Sequence, residues 1–281
     1  MTKSVSPWEE AVEWLRSQPN GEELVLAAYY DDPLIQAANR YWGSLEWREI
    51  RGLLGKTRGQ ALDVGAGRGI ASYALASEGF EVTALEPDGS DLVGAGAIRS
   101  LAETSGLKIE VTQEFSERLP FPDSHFDMVF ARAVLHHTKD LAAACREFFR
   151  VLKPGGKLIA VREHVISRRE DLGAFLSHHP LHHRYGGENA FLLKEYTDAL
   201  TQAGFKIQSV LLPLESVINY APYSESTLKS EVADRVGGPA MLRALVRRTL
   251  EVQGMWLLLR KVLTWIDKRP GRLYSFVCTR P

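Results

Sequence analysis

The string ALDVGAGRG (61–69) holds the residues best placed to do chemistry. Asp63 precedes Gly65, Gly67 and Gly69, so an apolar run leads straight into a turn with glycine at alternate positions. Glycine lets the backbone pass close to a ligand, and a following helix offers unpaired N–H donors in its first turn. Glu86 ends a second apolar run about 20 residues further on, where a carboxylate accepts from both hydroxyls of a ribose. The spacing is GxGxG, not the GxGxxG of dinucleotide enzymes. A second group follows FDMVFAR (126–132), where His136 and His137 stand, and ends KLIAVREHV (157–165), where Glu163 and His164 stand. His137 is open to two readings, a base or carboxylate-holding group and a capping or packed histidine. Glu163 is likewise open to substrate contact or to being an exposed strand-end acid.

These residues need a frame that brings strand ends together. ALDVG (61–65), EVTALEP (81–87), KIEVTQE (108–114), FDMVFAR (126–132) and KLIAVREHV (157–165) read as buried strands. Helical stretches separate them: residues 70–79, 91–106 and 141–156, the last stopped by Pro154 and Gly155. Continuous apolar strands joined by crossover helices predict a parallel sheet covered on both faces, an α/β doubly wound fold. A helix over 195–205, a strand over 206–214 and a last strand over 272–280 complete it. In such sheets ligands sit outside the carboxyl ends of the strands, which sets Arg132, His137, Glu163 and His164 on one rim. Three segments lie outside the core. Residues 1–59 form an N-terminal helical segment, with helical patterns at 7–17 and 33–54. Insertions at 166–193 and 222–270 interrupt a core spanning 60–281.

The 281 residues are 45% hydrophobic and 25% charged, the balance of a globular chain. With 34 Lys plus Arg against 35 Asp plus Glu, the net charge is −1. A nucleic-acid partner usually demands a basic excess, so none is expected. Cys145 and Cys278 are far apart and form no CxxC, which leaves a disulfide framework and a cysteine zinc site unsupported. The N-terminal residues carry Glu and Trp where a signal peptide needs an apolar run, and no stretch reaches the length of a spanning helix. The expectation is a soluble, cytoplasmic protein, monomer or homodimer, without stable membrane insertion. Residues 240–272 are apolar and basic; they suit peripheral contact with an anionic surface, or a lid or dimer helix with a buried apolar face.

Four motifs in order, D-x-G-x-G-x-G, the acidic strand end, ERLPFPDSHFDMVFARAVLHH (117–137) and FFRVLKPGGKLIA (148–160), resemble the class I S-adenosylmethionine-dependent methyltransferases. The likeness covers roughly residues 60–165 and is to the small-molecule branch with LPFPD and LKPGG signatures. It implies a mostly parallel seven-stranded Rossmann-like sheet with helical cap and lid insertions. It also implies an enzyme that moves a methyl group from S-adenosylmethionine to O, N or C of a small molecule. By position, Asp63, Gly65, Ala66, Gly67 and Gly69 would line the methionine part of the cofactor. Glu86 would take the ribose, and Pro87 with Asp88 would flank the adenine. The acidic residue that often meets the adenine amine is replaced here by Phe115, so stacking by Phe115 and a polar contact from Ser116 are expected instead. Arg132 would project over the methionine moiety. A nucleic-acid methyltransferase, a non-catalytic S-adenosylmethionine-binding protein and a nicotinamide oxidoreductase are the alternatives. The first lacks an (N/D/S)PP(Y/F/W) motif after the fourth strand, and the last is disfavoured by the glycine spacing.

Alignment of a nucleophile with a sulfonium methyl needs no metal, and at most a base. The catalytic candidates are therefore His137, Glu163 and His164. The acceptor pocket is placed between Tyr29 and Tyr30 on one side and His182, Tyr185 and Glu188 on the other, with 222–270 as a lid. In the run His178–His183, the pairs 178/182 and 179/183 have metal-ligand spacing, but Pro180 interrupts the helix. No metal is expected there.

Overall fold

In the computed structural model, residues 8–56, 58–179, 181–236 and 239–281 are described. Residues 1–7 of the N-terminal segment, Pro180 of the histidine run and residues 237–238 of the second insertion lie outside them.

Four helices come first: α1 (Trp8–Ser17), α2 (Glu22–Ala27), α3 (Leu34–Trp42) and α4 (Leu45–Leu54). The single helical pattern over 33–54 is split because Gly43 ends α3 and the Ser44 hydroxyl caps α4, accepting from Trp47 N at 3.0 Å. The core then alternates β1 (Gln60–Val64), α5 (Ile70–Ser77), β2 (Glu81–Leu85), α6 (Ala95–Ser105), β3 (Ile109–Thr112) and β4 (Phe126–Arg132). A 3-10 turn (Leu135–His137), α7 (Leu141–Val151) and β5 (Leu152–Ile166) follow. The first insertion holds α8 (Asp171–His178) and α9 (His182–Tyr185), and leads to β6 (Phe191–Leu192). After α10 (Leu193–Gln202) and β7 (Lys206–Leu211), the second insertion comprises α11 (Val217–Tyr220), α12 (Glu225–Val236), α13 (Ala240–Leu250) and α14 (Gln253–Ile266). Strand β8 (Arg272–Thr279) closes the chain.

The sheet runs β3-β2-β1-β4-β5-β8-β7, with two-residue β6 attached to β5 as an eighth strand. Strands β1 to β5 are parallel to one another, and β8 is antiparallel to both β5 and β7. Strand order reverses between β1 and β4, which opens a crevice at their carboxyl ends. Phe126, Phe148 and Tyr196 bury one face of the sheet, and Tyr41, Trp47, Ile50 and Phe130 the other.

The second insertion departs from the sequence reading. Its apolar surface is only partly buried within this chain: Leu250 and Trp256 are covered, but Met241 is 84% exposed, Leu258 64% and Trp265 75%. Nor do α12 to α14 cover the crevice; they enclose a separate cavity of about 760 Å³ against Tyr220, Leu263 and Arg269. No helix among the described residues is long and apolar enough to cross a membrane.

One ion pair ties the N-terminal helices to the sheet. Glu46 of α4, 2% exposed, takes both Nε and an Nη of Arg132 at 2.7 and 3.1 Å, with Arg162 Nη1 3.8 Å away. Removing one partner of a buried pair leaves the other charge uncompensated, which costs about 3–5 kcal/mol. Glu46→Ala is expected to lower the unfolding free energy by that amount, read as a lower urea midpoint at an unchanged m-value; a loss below about 1 kcal/mol would show that water already compensates the guanidinium groups.

Candidate functional site

A cavity of about 830 Å³ occupies the crevice. Its floor is the glycine turn, and its positioning begins with Glu86 at the end of β2. The Glu86 carboxylate accepts from Gly67 N at 2.7 Å and from Asp88 N at 2.9 Å. Burial pushes its pKa up, against the pull of those two amides. One lone pair on each oxygen therefore fixes the turn, and the others remain for a ligand's hydroxyls. Gly67, at φ 55°, faces open space, since the nearest atom to an added Cβ is Val93 O at 4.0 Å. Gly65, at φ 60°, is packed instead: an added Cβ would meet Val134 Cγ2 at 2.8 Å.

Asp63 is 1% exposed and accepts from Ser72 Oγ of α5 at 2.6 Å. Burial raises its pKa to about 7. Phe115 is 62% exposed and lines the cavity beside Ser116, with Pro87 opposite in the same lining. Tyr29, Tyr30, Asp63, Gly65, Ala66, Gly67, Glu86, Arg132, His137, His164, Tyr185 and Glu188 share that lining. Most of the residues named from sequence are thus brought together on one surface.

Three are not. Gly69 is the N-cap of α5, in left-handed conformation against Ile98, and shapes the turn without lining the cavity. His182 lies off the lining, on α9. Glu163 is the clearest correction, being 0% exposed and not on the rim at all. Its Oε1 accepts from Val134 N and Leu135 N, each at 3.1 Å. Its Oε2 meets His136 N at 3.1 Å and His136 Nδ1 at 2.7 Å. Four partners fill its four acceptor sites, so it is a buried strut and not a substrate contact.

Arg132 reaches the cavity, but its guanidinium is committed to Glu46 and stacks near the rings of Tyr29 and Tyr41 at 5.7 and 5.2 Å. Arg68, the residue inside the glycine turn, is 6% exposed and reaches back to the N-terminal segment. It donates to Tyr29 O at 3.0 Å and Asp31 O at 2.9 Å, and pairs with Asp32. Tyr29, Ala133 and Arg162, three of the four non-glycine residues with positive φ among those described, all line the cavity. Such strain gathers where function over-determines the backbone.

At the far end His137 and His164, both named from the sequence, are joined by His136 and His179, which the sequence did not assign to the site. His136 is 1% exposed, and burial lowers its pKa well below the usual range. His164 donates from Nδ1 to Gly271 O at 2.8 Å, and burial lowers its pKa to about 3. His179 joins from α8's end, and its pKa too is lowered by burial. His137, more exposed, bonds through Nδ1 to Gly187 O at 2.8 Å. The only sequence signal for His136 was its adjacency to His137. The histidine run does not converge: His178 Nδ1 turns back to Ala174 O and His183 Nε2 to Ser177 O.

A family model described as a methyltransferase domain matches residues 62–160. The chain is 32% identical over 120 residues to an uncharacterized methyltransferase, YcgJ, of Bacillus subtilis, covering 42% of this chain and 46% of that protein. It is 33% identical over 142 residues to the ubiquinone/menaquinone biosynthesis C-methyltransferase of Pseudomonas fluorescens, covering 48% of this chain and 54% of that protein. The chain spans about half the length of these curated relatives. A solved S-adenosylmethionine dependent methyltransferase from Mesorhizobium loti shares the fold, with a TM-score of 0.53 at 17% identity over 85% of this chain and 100% of that one.

Asp63 generates a pH prediction. Its pKa is about 7 folded against an ordinary 3.8, so the fold favours the protonated form. The stability this confers is complete below about pH 4 and is lost as pH rises through 7. Asn keeps an oxygen for Ser72 and never ionises. Asp63→Asn should therefore gain stability relative to the parent between pH 4 and 8, by on the order of 2–4 kcal/mol at about 1.4 kcal/mol per unit. Denaturant titrations of both proteins with parallel pH dependence would refute the buried carboxylate.

Proposed function

We propose that this chain, whose residues 62–160 match a methyltransferase domain, is a class I S-adenosylmethionine-dependent methyltransferase that transfers a methyl group to O, N or C of a small molecule. The observation that carries this is the single cavity running from the Glu86 carboxylate to the histidine rim. Its volume, about 830 Å³, lies in the upper part of the range for small-molecule sites, enough for a cofactor and a small acceptor side by side. The name of the P. fluorescens relative, a C-methyltransferase of ubiquinone and menaquinone biosynthesis, supports a small acceptor.

The residues fit the cofactor's parts. Glu86 has acceptor capacity left for ribose hydroxyls, Phe115 offers an exposed ring for an adenine, and Gly67 leaves room at the turn. Asp63, Gly65 and Ala66 complete the wall at the methionine end. When bound, the cofactor supplies a sulfonium methyl carbon with a good leaving group, so the protein's work is alignment. Tyr30 and Tyr185 pack with Trp8 in one apolar cluster, which joins residues 1–59 to the insertion 166–193 beside Tyr29 and Glu188 and would exclude water from the acceptor end. His137 donates from Nδ1 to Gly187 O, which leaves Nε2 free to take a proton from a hydroxyl or ammonium acceptor.

Calorimetry with S-adenosylhomocysteine tests the cofactor reading. Glu86→Ala removes a charged acceptor and should weaken binding by about 1–3 kcal/mol, roughly 5–150-fold. Unchanged affinity would sink the ribose assignment, and tighter binding of NAD would sink the cofactor reading. Incubation with labelled S-adenosylmethionine and a panel of small acceptors tests transfer itself.

A further inference from the structure

The acceptor end contains an electrostatic mismatch. His136 Nδ1 faces the Glu163 carboxylate at 2.7 Å, so Nδ1 carries the hydrogen and Nε2 carries the lone pair. That lone pair faces Glu188 Oε2 at 3.7 Å. Glu188 Oε2 is buried and has no hydrogen-bond partner, while its Oε1 accepts from the Tyr185 hydroxyl. Two acceptors thus confront each other inside the protein with no donor between them. His164 repeats the arrangement: its Nδ1–H is spent on Gly271 O, which leaves Nε2 as an acceptor. Ring nitrogens of His136 and His164 and a carboxylate oxygen of Glu188 all lie within 4.8 Å of one another. His179 Nε2 stands 3.5 Å from Glu188 Oε1. A cation placed among them turns this repulsion into attraction.

We propose that His136, His164 and Glu188 form a binding site for a divalent first-row transition metal, zinc or ferrous iron by donor type, at the acceptor end of the cavity. Two imidazoles and one carboxylate suit those ions, whereas magnesium and calcium prefer oxygen alone. Each histidine also has the outer partner typical of a ligand, a carboxylate for His136 and a backbone carbonyl for His164, fixing ring and tautomer. Burial keeps both rings neutral, the form that ligates. A tetrahedral site with bonds of about 2.1 Å holds its donors about 3.4 Å apart, so the three side chains draw in by about an ångström on binding. Three protein ligands leave a position open to the cavity, and it would take an oxygen donor of the acceptor: a hydroxyl, carboxylate or enol. This departs from the expectation that no metal is present. The metal site stands on side-chain geometry; only the oxygen acceptor rests on the methyl-transfer reading.

The test uses the full chain, free of any affinity tag, stripped with EDTA and titrated with Co²⁺ and Zn²⁺. One equivalent should bind, with visible Co²⁺ absorption and a raised melting temperature. Glu188→Gln, which keeps the side chain's shape, and His164→Ala should each weaken binding by more than the roughly 10–100-fold typical of losing an outer partner. His183→Ala, on the exposed histidine run, should leave the stoichiometry at one. Absence of saturable binding by the folded chain would overturn the site. Binding that survives both Glu188→Gln and His164→Ala, or that is lost in His183→Ala, would overturn it equally. None of these readouts needs methyl transfer, so a failed transfer assay leaves the metal result standing on its own.

Discussion

The buried carboxylate of Glu163 holds the site together. A charge at zero exposure is costly unless its hydrogen-bonding capacity is filled, and here three consecutive amides and one imidazole fill it. Those partners are the turn that leaves β4, so the end of β5 dictates where residues 134–136 run. Val134, placed in this way, packs over Gly65 and leaves no room for a side chain at that position. The turn is held from its other side by Glu86 through Gly67 N. Two carboxylates on different strands thus clamp the cofactor end and the acceptor end into one rigid floor.

Much of this frame was legible in the sequence because its signals are local. Strand β4 has the bounds read from FDMVFAR, whereas α7 stops at Val151, short of Pro154 and Gly155, which lie inside β5. Glu163 was misread for a reason that lies in the backbone. Simple alternation from a strand end puts it on the rim, but Arg162 has φ 63° and the pairing of β5 with β8 shifts between Ala160 and Glu163. That irregularity turns the side chain inward, and no residue type announces it. His136 was undervalued beside His137 because adjacency alone does not tell which of two histidines is buried.

The insertions mark the other limit. The amphipathic pattern of 240–266 predicts helices, and helices form, but pattern does not say against what they dock. Here they gather around Trp256 and Ala233 as a satellite of their own, away from the crevice. The first insertion does meet the site, through His179, Tyr185 and Glu188. Which of two segments covers an active rim is settled by long-range packing, and that information is spread over the whole chain.

Arg68 carries a consequence for timing. It sits within the glycine turn, yet its hydrogen bonds run to Tyr29, Asp31 and Asp32 in the N-terminal segment. The aromatic wall and the floor are therefore one body, joined by a guanidinium that is 6% exposed. The wall cannot swing out alone without breaking those bonds. Traffic must pass by the acceptor end, or wait until Arg68 lets go. Under the proposed methyl transfer, release of the spent cofactor, more than the chemical step, would then pace turnover.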